Sequence, residues 1–218
     1  MKNNDVEQLI EEIVTSIPNY SKDDDNYELK VFSYIYVKLS YMLEYDYYAA
    51  ELVDTHLSGF DREMAHENII APASDPRCLV KGKGLCSGFS RALQIILSKL
   101  NIESVLVFSE THVWNQVCLD GTWYNCDLTK DHEFVREGLK CPYFLKSNND
   151  NSNMKEYKSV REGYHDCPTT ISDEIQEKLI EEARGYVDNR ESTETKDTPR
   201  FIQRIFDLVN AKQNVSRG

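Results

Sequence analysis

A chain of 218 residues suits one domain with extensions and a sizeable core, and 40% hydrophobic content with 11% aromatics is globular rather than disordered. A formal net charge of -12 and a pI near 4.9 exclude nucleic-acid binding through the body of the fold, since phosphates are held by clustered Lys and Arg; basic or neutral partners are easier to accommodate. No run approaches a membrane span, and the N-terminus MKNNDVEQLIEEIV lacks the basic head and apolar stretch of a signal peptide. The expected location is the cytoplasm as written, or a compartment reached by export or injection without a recognisable signal, unless a leader is missing.

In chain order, Val6, Leu9, Ile10, Ile13, Val14 and Ile17 predict an amphipathic helix begun by Asn4 or Asp5 and ended before Pro18. The polar run SKDDDN leads into a second helix whose Leu29, Phe32, Ile35, Tyr36, Leu39, Met42 and Leu43 share one broad face. Tyr45, Tyr47 and Tyr48 follow; they read first as surface packing and second as a cleft rim suited to peptides. Residues 51–77 carry little periodicity, and 69–80, with Pro72 and Pro76, predict an extended approach to the next turn. His56 and His66 lie near no turn or strand that would aim them at the cysteine beyond it.

Residues 81–131 carry the chemistry. Gly82, Gly84 and Gly88 surround Cys86, and Phe89, Leu93, Ile96, Leu97 and Leu100 recur at helical spacing, so Cys86 is expected at a helix N-terminus. The unpaired amides and positive dipole end there favour a thiolate. Further on, Asp120-Gly121 separates two alternating runs, 112–119 and 122–129, and Asp-Gly fills two-residue hairpin turns. That turn pairs Leu119 with Thr122, Cys118 with Trp123, Trp114 with Asp127 and His112 with Thr129. His112, Trp114, Gln116, Cys118, Trp123, Asn125, Asp127 and Thr129 then share one face, while Val113, Asn115, Val117, Leu119, Thr122, Tyr124, Cys126 and Leu128 form the core-like face. His112 and Asp127 become diagonal neighbours with Cα atoms about 7–8 Å apart, within side-chain reach. A cysteine, a histidine and an aspartate so placed read as nucleophile, base and orienting group.

Beyond the hairpin, residues 140–145 predict a strand, 148–153 a polar loop, and Ser172-Asp173-Glu174 opens a helix through about Val187 with Ile175, Leu179, Ile180 and Ala183 apolar. Residues 188–197 read as a charged, mobile linker, and Pro199 starts a last amphipathic helix bearing Phe201, Ile202, Ile205, Phe206 and Val209. His165 reads as structural. The organisation expected is an N-terminal helix over 1–25, a core over 26–170 and a C-terminal helical extension over 171–218. The six cysteines show no close metal-ligand spacing and the chain is too large to need disulfide staples, so reduced thiols, no metal and no cofactor are expected.

The segments GLCSGFSRAL and HVWNQVCLDGTWYNCDLTKD together resemble the core of the transglutaminase-like superfamily of papain-related thiol enzymes. The later YFLKSNND, with His165 and Pro168 beyond it, is similar to the tail of bacterial members, where a Tyr-Phe-Leu strand closes the sheet. The resemblance implies an α+β, papain-like transglutaminase core with helices packed on an antiparallel sheet. It implies catalytic roles for Cys86 as nucleophile, His112 as base and Asp127 as orienting carboxylate. The implied activity is acyl transfer or hydrolysis at protein or peptide amides: transglutaminase, glutamine deamidase or cysteine protease, with a protein or peptide substrate and an amine as possible acceptor. Trp114 and Trp123, on the His112 face, are candidates for substrate binding. Animal transglutaminases place an oxyanion-holding tryptophan upstream of the cysteine, and this chain has none before Trp114. A catalytically inactive protein-binding module of the same fold is the alternative.

Overall fold

The computed structural model describes residues 3–56, 58–151 and 165–194. Its central element is the helix Tyr27–Met42 (α2), buried from Val31 through Val37 and again at Leu39 and Ser40. Residues that sequence periodicity confines to one face are joined by Tyr34, Val37 and two serines, because helices cover α2 on several sides. The buried serine hydroxyls are satisfied within the helix, Ser33 donating to Leu29 O at 2.6 Å and Ser40 to Tyr36 O at 2.8 Å. Phe32, Tyr36 and Phe144 pack their rings together beneath it.

The helix Asn3–Thr15 (α1) stops before Pro18 as its pattern requires, and contributes Leu9, Ile10 and Ile13 to the same core. After α2 comes a two-residue strand, Glu44–Tyr45 (β1), then the helices Tyr47–Asp54 (α3) and Gly59–Ala65 (α4). Residues 69–80 are not extended: a π-helical turn, His66–Ile70, runs into the short helices Ala71–Ser74 (α5) and Cys78–Lys81 (α6). Pro72 follows that π-helical turn inside an unbroken helical run from α4 to α5, and only Pro76 lies just ahead of a helix, α6, where a missing N–H costs nothing.

A second two-residue strand, Lys83–Gly84 (β2), pairs in parallel with β1. It feeds the helix Cys86–Lys99 (α7), whose Phe89, Leu93, Ile96 and Leu97 are fully buried. α7 packs on an antiparallel sheet of Ser104–Phe108 (β3), Val113–Leu119 (β4) and Thr122–Cys126 (β5), in the order β3-β4-β5. The hairpin closes at Asp120 (φ 49) and Gly121 (φ 77), the two left-handed residues of a type I′ turn, and opposes Leu119 with Thr122 and Cys118 with Trp123 as expected.

The strand predicted to reach Thr129 ends instead at Cys126. Asp127 caps the next helix, Leu128–Glu137 (α8), its carboxylate accepting the Lys130 N–H at 3.2 Å. The capping signal thus overrides the alternation. Residues 140–145 form turns rather than a strand. Pro142 interrupts them, Leu145 takes φ 51, and the sheet is extended only by a bridge in which Asn125 and Lys146 exchange two backbone bonds of 2.8 Å.

Asn148–Asn151 (α9) replaces the described part of the expected polar loop with a helical turn. The last described helix, Asp173–Glu194 (α10), packs along α2 and buries Leu179, Ile180, Ala183 and Val187 in the common core. It continues through residues 188–194, expected as linker, because no Gly or Pro occurs there to stop it. The helix predicted from Pro199 lies outside the described residues. The chain therefore combines helices with a small antiparallel sheet, an α+β arrangement, and no described helix is long and apolar enough to cross a membrane.

Candidate active site

Cys86 is the first residue of α7, preceded by Leu85 in extended conformation (φ -89, ψ 173). Leu85 donates its N–H to Ala73 O at 2.8 Å, which presses α5 against the start of α7. The flanking glycines answer to this close approach. A Cβ on Gly88 would stand 2.1 Å from Ala73 O, and one on Gly84 2.9 Å from Cys78 Cβ. Only Gly82, which ends α6 at φ 68, needs a left-handed backbone.

His112 lies one residue ahead of β4, in a turn where Ser109 Oγ accepts the His112 N–H at 3.0 Å and His112 O accepts the Ser109 N–H at 2.9 Å. Asp127 lies one residue past β5. The ladder ends just short of both, yet the face assignment carries over: His112 Nε2 and Asp127 Oδ2 are 2.6 Å apart, with the histidine 8% and the aspartate 1% exposed. Nε2 is thereby engaged, which leaves Nδ1 as the ring nitrogen available to the Cys86 sulfur.

The two tryptophans are placed differently. Trp114 is buried beneath the site, its ring near-parallel to His112 with centroids 6.2 Å apart, and it donates Nε1–H to Asn125 Oδ1 at 3.2 Å. It supports the imidazole from the interior rather than walling an open cleft. Trp123 stacks on His165 at 3.8 Å, at the hairpin end of β5, where both line a separate cavity of about 690 Å³ with Gln94 and Val105. Trp123 is not brought to His112.

Helix and sheet are fastened by two polar groups that sequence reasoning passed over. Ser90 Oγ donates to Val113 O at 3.1 Å, and the buried Asn115 Nδ2 donates to Ser90 O at 3.0 Å. Ser90 is one turn along α7 from Cys86, and Val113 follows His112, so this clamp fixes Cys86 against His112. A signal existed: Asn115 is the polar intruder on the core face of β4.

The electrostatics separate Cys86 from the other thiols. Burial pushes it up, but the hydrogen bond and charge of His112, with backbone N–H groups of Val113 and Ser87, outweigh burial and bring it below its ordinary 9.0. For His112 burial favours the neutral form, and the bonds to Asp127 and Cys86 reverse this, lifting the imidazole to about 10. Like Cys86, the remaining five cysteines form no disulfide, and all are raised, chiefly by burial, Cys78 and Cys167 to about 12.

Beside the site opens a pocket of about 320 Å³ lined by Tyr45, Tyr47, His112, Lys130, His132 and others. The tyrosine-rich stretch thus supplies part of a cleft rim, its second reading. His132 was not foreseen: Nδ1–H donates to Thr129 O at 2.8 Å, the ring stands edge-on to Phe89, and burial holds its pKa below the usual value. Deeper still, the fully buried Asp131 accepts hydrogen bonds from the Tyr36 hydroxyl at 2.9 Å and the Tyr143 N–H at 3.1 Å. Among the described residues no group of three or more His, Cys, Asp or Glu is arranged to hold a metal ion.

No protein-family model and no curated protein matches the sequence. Among solved structures, a "Crystal structure of a TGase" is similar at a TM-score of 0.42 and 17% identity, over 59% of this chain and 33% of that one. The chain thus spans about a third of that structure's length, and a likeness of this order carries no argument about fold family or chemistry.

Proposed function

We propose that this protein is a transglutaminase-like thiol acyltransferase or amidohydrolase acting on protein or peptide amides through Cys86, His112 and Asp127. The observation that carries the reading is the convergence of a thiol at a helix start, an imidazole that lowers that thiol's pKa, and a buried carboxylate 2.6 Å from that imidazole. The same thiol alone among the six is shifted toward its ionised form.

In the proposed reaction the Cys86 thiolate adds to the amide carbon. A C–S bond forms and the carbonyl pair moves to oxygen, where the amides at the start of α7 face the charge. Collapse breaks the C–N bond, and the His112 imidazolium gives its proton to the departing nitrogen, leaving a thioester. Water or an amine then attacks the thioester, His112 takes the incoming proton, and the sulfur leaves as thiolate. Asp127 keeps Nε2 protonated and stabilises the charged ring throughout. Water yields a carboxylic acid and an amine yields a new amide, so the acceptor decides between hydrolysis and transamidation.

The test is ammonia release from glutamine-containing peptides, with and without a primary amine, by the intact protein and by Cys86→Ala. The proposal expects release that Cys86→Ala abolishes. Equal release by both proteins refutes it.

A further inference from the structure

An oxyanion formed on Cys86 needs a donor besides the helix amides, and the chain brings one tyrosine beside the start of α7. Parallel pairing of β1 with β2 sets Tyr45 opposite Gly84, two residues before the nucleophile, with Asp46 N–H donating to Gly84 O at 2.9 Å. The Tyr45 ring packs against Leu85, the residue adjoining Cys86, together with Ala49 and Ala73. It also lines the pocket that holds His112 and Lys130, and Tyr47 stands edge-on to it with centroids 5.0 Å apart. The ring is therefore wedged between the start of α7 and the cleft, and its hydroxyl makes no hydrogen bond within the described residues. Tyr47, by contrast, is 71% exposed on the rim.

We propose that the Tyr45 hydroxyl is the second hydrogen-bond donor to the oxyanion formed when Cys86 attacks a carbonyl, an inference that rests on the acyl-transfer reading above. A phenol suits the task because it is a neutral donor at working pH. Burial, then the charge of Cys86, raises its pKa, with Lys130 opposing, so it stays protonated beside the thiolate. The donor gains most when charge develops on oxygen, so it favours the tetrahedral intermediate over the bound amide.

The test compares two reagents on Cys86 in the full chain, in Tyr45→Phe and in a control remote from the site, Tyr186→Phe on α10. Para-nitrophenyl acetate acylates the sulfur through a tetrahedral oxyanion, whereas iodoacetamide alkylates it by direct displacement and forms none. In Tyr45→Phe the acylation rate should fall at least about tenfold, toward the ~100-fold typical of a lost oxyanion donor. Its alkylation rate and pH profile should stay those of the natural protein, and Tyr186→Phe should change neither rate. Acylation and alkylation falling together, or neither falling, overturns the role of Tyr45 while leaving the nucleophile standing. A natural protein whose Cys86 outpaces Cys118 with neither reagent overturns the acyl-transfer reading itself, and Tyr45 with it.

Discussion

Asp127 performs two jobs that conservative substitution can separate. Its Oδ2 takes the His112 ring bond at 2.6 Å, and its Oδ1 caps α8 through the Lys130 N–H at 3.2 Å. Asparagine caps helices about as well as aspartate, whereas alanine loses about 1 kcal/mol. A hydrogen bond to a charged group is worth about 1.5–3 kcal/mol, or about 1–2 pK units, so Asp127→Asn should lower His112 from about 10 by that amount. With its charged partner weakened, the Cys86 thiolate should form at higher pH, read as an upward move of the midpoint of its alkylation rate against pH. The stabilisation linked to His112 is fully present below its ordinary 6.5 and is lost as pH rises through about 10, and Asp127→Asn should draw the upper end of that window down. In urea unfolding at pH 6, Asp127→Ala should be less stable than Asp127→Asn by the ~1 kcal/mol of the cap. An alkylation midpoint unmoved in Asp127→Asn would falsify the assignment of Asp127 as the group that holds His112 charged.

Three further substitutions probe what surrounds the site. Gly88→Ala drives a methyl into Ala73 O and should destabilise the chain by at least ~1–3 kcal/mol in thermal or urea unfolding, with loss of fast Cys86 alkylation; near-native stability and reactivity would mean the α5–α7 approach is not needed. Ser90→Ala removes the hydroxyl half of the clamp between α7 and β4 and should cost about 0.5–1.5 kcal/mol while slowing Cys86 alkylation relative to Cys118; an unchanged ratio would detach that bond from the placement of Cys86. Asp131 is raised well above its ordinary 3.8 by burial, so its contribution to stability is present at low pH and is lost as pH rises. Asp131→Asn should therefore match the natural protein near pH 4 and exceed it at pH 8 in urea unfolding, and the reverse order would mean the carboxylate is stabilised as an anion.

What the sequence made legible was local and periodic. The Asp-Gly turn fixed a register with no slack, since a one-residue slip would send His112 and Asp127 to opposite faces, and the apolar spacing after Cys86 located α7. What it hid depended on contacts between distant segments. Pro72 and Pro76 look the same in an extended run as inside one helical run and just ahead of another helix. Asp127 looks like a strand residue until its cap is seen. Gly84 and Gly88 read as turn residues because nothing nearby announces that Ala73 O will press against them. Trp114 and Trp123 share a face by alternation, yet Trp123 points at His165 near the hairpin end. Tyr45 reaches the site only through a parallel bridge to Gly84, a pairing with no short-range signature.

The most direct measurement of the central claim is the alkylation rate of each cysteine against pH, read by peptide mass spectrometry in the natural protein and in His112→Ala. An activated pair predicts that Cys86 alone reacts fast well below the ordinary thiol range of about 8.5, and that this advantage disappears without His112. A Cys86 that reacts no faster than Cys118 or Cys167, or that keeps its advantage without His112, would contradict it.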